Sequence, residues 1–151
     1  MRFKKTRELL DHVRKFHEAV GHCCLEAGRE SEQERVRILL DYIADREQNL
    51  ARAVTEFSEE SNDQVLDTWF QYTTDDAELN ALLTSGFKPD MQPEELSDLT
   101  MTIADHFIAL YHDVLESADT DELRQVFQNL LDREQKEKEK LARNLQMFQD
   151  L

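Results

Sequence analysis

The sequence predicts an all-α protein: an up-down bundle of four helices, made of two helical hairpins joined by a long, partly helical crossover. Three observations predict it. The 151 residues include only 3 Gly and 2 Pro, too few to turn the chain at every strand end of a sheet protein. Four long segments repeat mostly apolar residues at steps of three and four, the spacing of one helix face. The links between these segments run short, long, short, and short links force neighbouring helices to be antiparallel. By length, residues 1–151 are a single domain.

The first helix is expected over about 6–27. Leu10, Val13, His17, Val20, Cys24 and Ala27 form its stripe, and Leu9, Phe16 and Cys23 widen it. Gly28 is the expected stop, because glycine enters the left-handed region most cheaply. Ser31 with Glu34 spells a capping box that opens the second helix, over about 31–59. Its seam is Val36, Leu40, Ile43, Glu47, Leu50, Val54 and Phe57. The crossover, about 61–92, offers Asn62 as the cap of a short helix and another turn or two around Leu79 to Leu83. Pro93 suits the first position of the third helix, over about 93–118, where a missing N–H costs nothing. Glu94 and Glu95 suit the positive end of its dipole. Its stripe is Leu99, Ile103, Phe107, Leu110, Val114 and Ala118, with His106, Tyr111 and Asp113 on the margins. Asp119 or Thr120 can cap the fourth helix, over about 121–149. Its seam is Leu123, Phe127, Leu130, Glu134, Glu137, Leu141, Leu145 and Phe148.

Composition narrows the function classes. The formal net charge of −15 repels phosphate backbones and anionic lipid, so neither nucleic acid nor membrane is an expected partner. No apolar run approaches the roughly 18 residues of a membrane span. The basic start lacks a continuous apolar stretch and a small-residue cleavage site, so it does not read as a secretory signal. Cys23 and Cys24 are adjacent, a spacing that strains a disulfide ring, and read as small core residues in a reducing compartment. The expected location is the cytoplasm. No phosphate loop, no Cys-x-x-Cys and no nucleophile arrangement stands out, so catalytic residues stay unassigned.

The chemistry-bearing feature is a repeat. Asp-Arg-Glu-Gln occurs at 45–48 and again at 132–135, each time on the second helix of a hairpin. It sets Glu47 and Glu134 on apolar seams about halfway along their helices, with Glu137 on the same seam as Glu134. Burying a carboxylate is costly unless it is paired, protonated or bound to a cation. Three resolutions are open. The glutamates can pair with Arg14, Arg46 or Arg133 and set register; they can bind metal; or the core can hold a small organic ligand.

This layout resembles the ferritin-like superfamily, and within it the rubrerythrin-like bundles. Those carry one Glu on each of helices one and three and Glu-x-x-His on helices two and four. The resemblance places Glu47 and Glu134 as the motif glutamates. Leu50 and Glu137 stand where the motif histidines would be. Helix one offers His17 on its seam with Glu18 beside it, and helix three offers no seam Glu. The resemblance therefore implies a divergent metal site of Glu47, Glu134, Glu137 and His17. It would take iron or manganese in oxidant or metal handling, or no cofactor if the site is degenerate. The competing expectation is a non-catalytic bundle acting as an interaction or oligomerisation module. Trp69, Phe70 and Tyr72 cluster in the crossover, where they either staple it to the bundle or make a homodimer surface.

Overall fold

The computed structural model of the protein describes residues 2–72 and 77–149, with side chains except those of 2–3, 70–72 and 148–149. The described chain is predominantly helical. Four long helices carry the core: α1 (Thr6–Glu30), α2 (Glu34–Glu60), α5 (Pro93–Ser117) and α6 (Asp121–Gln149). The crossover between α2 and α5 holds the short α3 (Asp63–Leu66) and α4 (Ala77–Ser85). It also holds a strand, β2 (Trp69–Tyr72), which pairs antiparallel with β1 (Arg2–Lys5) in register Lys5↔Trp69. Among the described residues no helix is long and apolar enough to cross a membrane.

The stripes read from sequence are the buried faces. Leu10, Val13, Val20, Cys24 and Ala27 of α1 meet Val36, Leu40, Ile43 and Val54 of α2 in one core with Ile103, Phe107, Leu110 and Val114 of α5. Leu123, Phe127, Leu130, Leu141 and Leu145 of α6 complete it. Burying each such side chain contributes roughly 1.5–3 kcal/mol, and this drives the helices together. α1 packs mainly on α2, α5 mainly on α6, and α2 touches both α5 and α6. Polar ties join the long helices at the rim. Asn144 donates to the Tyr42 hydroxyl at 2.7 Å across α2 and α6. The Lys138 ammonium pairs with Asp105 across α6 and α5.

Three local expectations are corrected. Gly28 does not stop α1; it lies inside the helix, buried against α2. A Cβ there would stand 3.6 Å from Asp41 Oδ1 and 3.7 Å from Leu40 Cβ, so the residue marks a close approach of two helices. Ser31 does not cap α2; it ends α1, its N–H bonded to the Ala27 carbonyl, and α2 begins after Gln33. The capping box belongs instead to Gln92 and Glu95 at the start of α5, just before Pro93. The crossover and the chain start form a two-stranded ribbon, extended by Thr6 N–H donating to the Thr68 carbonyl at 3.0 Å, where only helix and loop were expected. Other ends stand as read: Asn62 Oδ1 accepts from Val65 N–H at 2.9 Å, and Thr120 Oγ1 from Leu123 N–H at 3.2 Å.

Candidate functional site

The polar residues on the seams converge in one buried layer. α1 brings His17, α2 brings Arg46 and Glu47, and α6 brings Glu134, all within a few per cent of complete burial. His17 Nδ1 lies 2.5 Å from Glu47 Oε2, and His17 Nε2 lies 2.9 Å from Glu134 Oε1. A neutral imidazole carries one N–H and one lone pair, and a lone pair facing a carboxylate would be repelled. Both nitrogens face carboxylates, an arrangement that favours the doubly protonated imidazolium over the neutral ring. Arg46 Nη1 donates to the other Glu47 oxygen, Oε1, at 2.7 Å. The Glu47 carboxylate therefore has a cationic donor on each oxygen.

The two halves of the layer differ in quality. The His17–Glu47 contact is an aligned hydrogen bond. The His17–Glu134 contact is short but off line, and neither Glu134 oxygen has an aligned donor. Arg46 Nε and Nη2 and the hydroxyl of buried Tyr111, on α5, also lack a hydrogen-bond partner. The His17 ring rests on Phe107, ring centroids 4.5 Å apart and planes at 33°, which favours the charged imidazole through the ring's negative face. Tyr111, one turn further along α5, has its ring centroid 6.4 Å from that of Phe107.

The proton affinities follow from this geometry. Burial by itself would lower the His17 pKa, but the Glu47 and Glu134 carboxylates outweigh it and raise it to about 9. Burial pushes the Glu47 carboxyl up, yet His17 and Arg46 hold it below the ordinary carboxylate value. Burial raises the Tyr111 hydroxyl well above its ordinary value, with Glu134 and Glu47 adding to the rise. A protonated His17 with Arg46 balances the two carboxylates, so in that form the layer has zero net charge.

No protein-family model, curated protein or solved structure matches the chain. The site must be read from its own residues.

Of the four expected metal ligands, the structure brings His17, Glu47 and Glu134 together. Glu137 stands apart, its side chain 12 % exposed and within 3.7 Å of Arg133 and 3.9 Å of Lys140. Leu50, at the other motif-histidine position, is a buried core residue. Among the described residues no group of three or more His, Cys, Asp and Glu side chains is placed to hold a metal ion. The His17 ring lies between the two carboxylates, its nitrogens 2.5 Å from Glu47 and 2.9 Å from Glu134. As placed, the residues do not fit a bound iron or manganese.

The arginines also divide. Arg46 enters the layer, while Arg14 stays on the surface of α1 with Asp11 at 2.6 Å and Glu18 at 2.9 Å. Arg133, the counterpart of Arg46 in the second repeat, points outward. Two participants were not among the expected site residues. Tyr111 was placed on the margin, although it lies four residues after Phe107 and so on the same face. Phe107 was read only as core. Trp69 is 58 % exposed, with the Lys5 ammonium 5.5 Å from its ring centroid. The expected contributions of Phe70 and Tyr72 to a dimer, and of Phe148 to the α6 seam, lie outside the described side chains.

Proposed function

We propose that this chain is a non-catalytic four-helix bundle that works as an interaction module, its two hairpins held in register by the internal ion layer. The observation that carries this reading is the placement of His17 between Glu47 and Glu134. With Arg46, it supplies two positive charges against two negative ones and leaves no charge for a cofactor to balance. Buried ionic groups are best known for fixing which helices pair and in what register, rather than for adding net stability. A misregistered hairpin would bury Glu47 or Glu134 without its cation, at a cost of several kcal/mol. The surface offered to a partner is the ribbon of β1 and β2, where Trp69 is exposed beside Lys5, and a second copy of the chain is the partner proposed.

A second reading keeps the ferritin-like resemblance and its metal. Both Glu134 oxygens lack an aligned donor, as a carboxylate awaiting a cation would. In that reading Glu47, Glu134, Glu137 and His17 would hold iron or manganese, for oxidant or metal handling, and the His17 ring must swing out of the gap. Elemental analysis of protein purified without chelator separates the two. The interaction module predicts less than a tenth of an equivalent of iron and manganese. One or two equivalents, lost together in Glu47→Ala and Glu134→Ala, would instead establish the metal reading.

A further inference from the structure

The ion layer ties α1, α2 and α6 together, and α5 brings the Tyr111 hydroxyl, which has no hydrogen-bond partner although its side chain is fully buried. On α6 the Glu134 carboxylate is 2 % exposed, and neither oxygen has an aligned donor. Arg46 Nε and Nη2, in the same layer, are unmet as well; an unmet buried polar group costs about 1–3 kcal/mol, so such groups call for a partner. The chemistry of Tyr111 and Glu134 is complementary: a phenol donates and accepts, and a carboxylate accepts at both oxygens. Tyr111 lies one turn along α5 from Phe107, on which His17 rests, and His17 reaches Glu134. The Glu134 carboxylate also acts electrostatically on the Tyr111 hydroxyl, adding to the rise in its proton affinity, so the two groups border the same layer.

We infer that the layer contains an internal hydrogen-bonding site for one neutral small ligand, a water molecule, held between the Tyr111 hydroxyl and the Glu134 carboxylate. The inference rests on the metal-free reading of the layer and deepens it. Charge selects the ligand. The two carboxylates are already matched by His17 and Arg46, so a cation would add an unbalanced buried charge and an anion would face Glu134. A water donates to a Glu134 oxygen, accepts from Tyr111 O–H, and keeps a second hydrogen for the other Glu134 oxygen. That makes the two to four polar partners a buried water needs. The water gives α5 a polar tie to the layer.

The test is a high-resolution crystal structure of the full chain after chelator treatment, with anomalous data, for the parent and for Tyr111→Phe. The expected result is one light-atom peak about 2.6–3.2 Å from both Tyr111 Oη and a Glu134 oxygen, without anomalous signal, and lost in Tyr111→Phe. Tyr111→Phe keeps the ring and its packing, so it is expected to fold. A metal-free layer in which Tyr111 donates directly to Glu134, or in which no peak lies between them, overturns the water and leaves the ion layer standing. An anomalous peak there overturns both.

Discussion

Glu47 and Glu134, the matching residues of the two Asp-Arg-Glu-Gln stretches, face each other through a single imidazole. His17 presents Nδ1 to one at 2.5 Å and Nε2 to the other at 2.9 Å. One proton more on that ring is what makes the burial of both carboxylates tolerable. The consequences of this relationship are specific and measurable.

The first concerns pH. The His17 pKa is raised from 6.5 to about 9 on folding. A raised histidine stabilises fully below its unfolded pKa and loses that contribution as pH rises through its folded one. The layer's contribution is therefore present at pH 6.5 and falls away towards pH 9, by on the order of 3 kcal/mol. At the acid end the depressed Glu47 acts with the opposite sign, contributing above its ordinary value of 4.5 and losing that as pH falls. Urea midpoints between pH 4 and 10 should show a plateau from about 4.5 to 6.5 and a decline on both sides. In His17→Phe the alkaline decline should flatten; if it persists unchanged, His17 is not its source.

Removing one partner of a buried pair leaves the other charge stranded. Glu47→Ala strands His17 and Arg46 together and should cost about 3–5 kcal/mol at pH 7. Glu134→Ala should cost less, because its only contact with His17 is off line. Denaturant unfolding of both variants checks the order, and the reverse order would contradict the asymmetry.

Replacing the layer as a whole is a different matter. The quadruple variant His17→Leu, Arg46→Met, Glu47→Leu, Glu134→Leu removes every charge at similar volume. It should be neutral or more stable by about 1–4 kcal/mol, since no ion then pays for desolvation. Its expected defect is specificity: a broader range of helix registers, visible as loss of a single well-dispersed NMR spectrum.

Trp69 is the chain's one tryptophan and is 58 % exposed, so its emission reports the ribbon directly. If a second copy docks there, acrylamide quenching should weaken as protein concentration rises, and light scattering should show a dimer that Trp69→Ala loses. A monomer at all concentrations removes this surface from the proposal.

Gly28→Ala should stabilise the protein by roughly 0.5–1 kcal/mol. The new methyl would make ordinary contacts, 3.6 Å and 3.7 Å from its neighbours on α2, and glycine is a poor residue inside a helix. A shift of thermal midpoint upward checks it.

Much of this was legible in the sequence because helical periodicity is a strong local signal. The seams of α1, α2 and α6 named His17, Glu47 and Glu134 as inward residues before any contact was known. What was not legible depends on distant partners. A ribbon of β1 with β2 joins residues such as Lys5 and Trp69 that no local pattern connects. Gly28 looks like a stop until α2 is seen beside it, when its missing side chain becomes a packing feature. Arg46 and Arg133 occupy the same place in a repeat, yet one turns inward and the other outward. Side-chain direction at that level is set by the space each helix finds next to it. Glu137 shows the same limit: it shares a helical seam with Glu134, but sits near the rim beside Arg133 and Lys140.

The most direct test of the central claim is the protonation state of the His17 ring, read by ¹⁵N NMR of chelator-treated protein at pH 7.5 and again with iron(II) or manganese(II) added. The ion layer predicts both ring nitrogens protonated, a titration midpoint near 9, and no selective change at His17 with either metal. A neutral ring at pH 7.5, or a His17 signal that shifts or broadens stoichiometrically with metal, would contradict it.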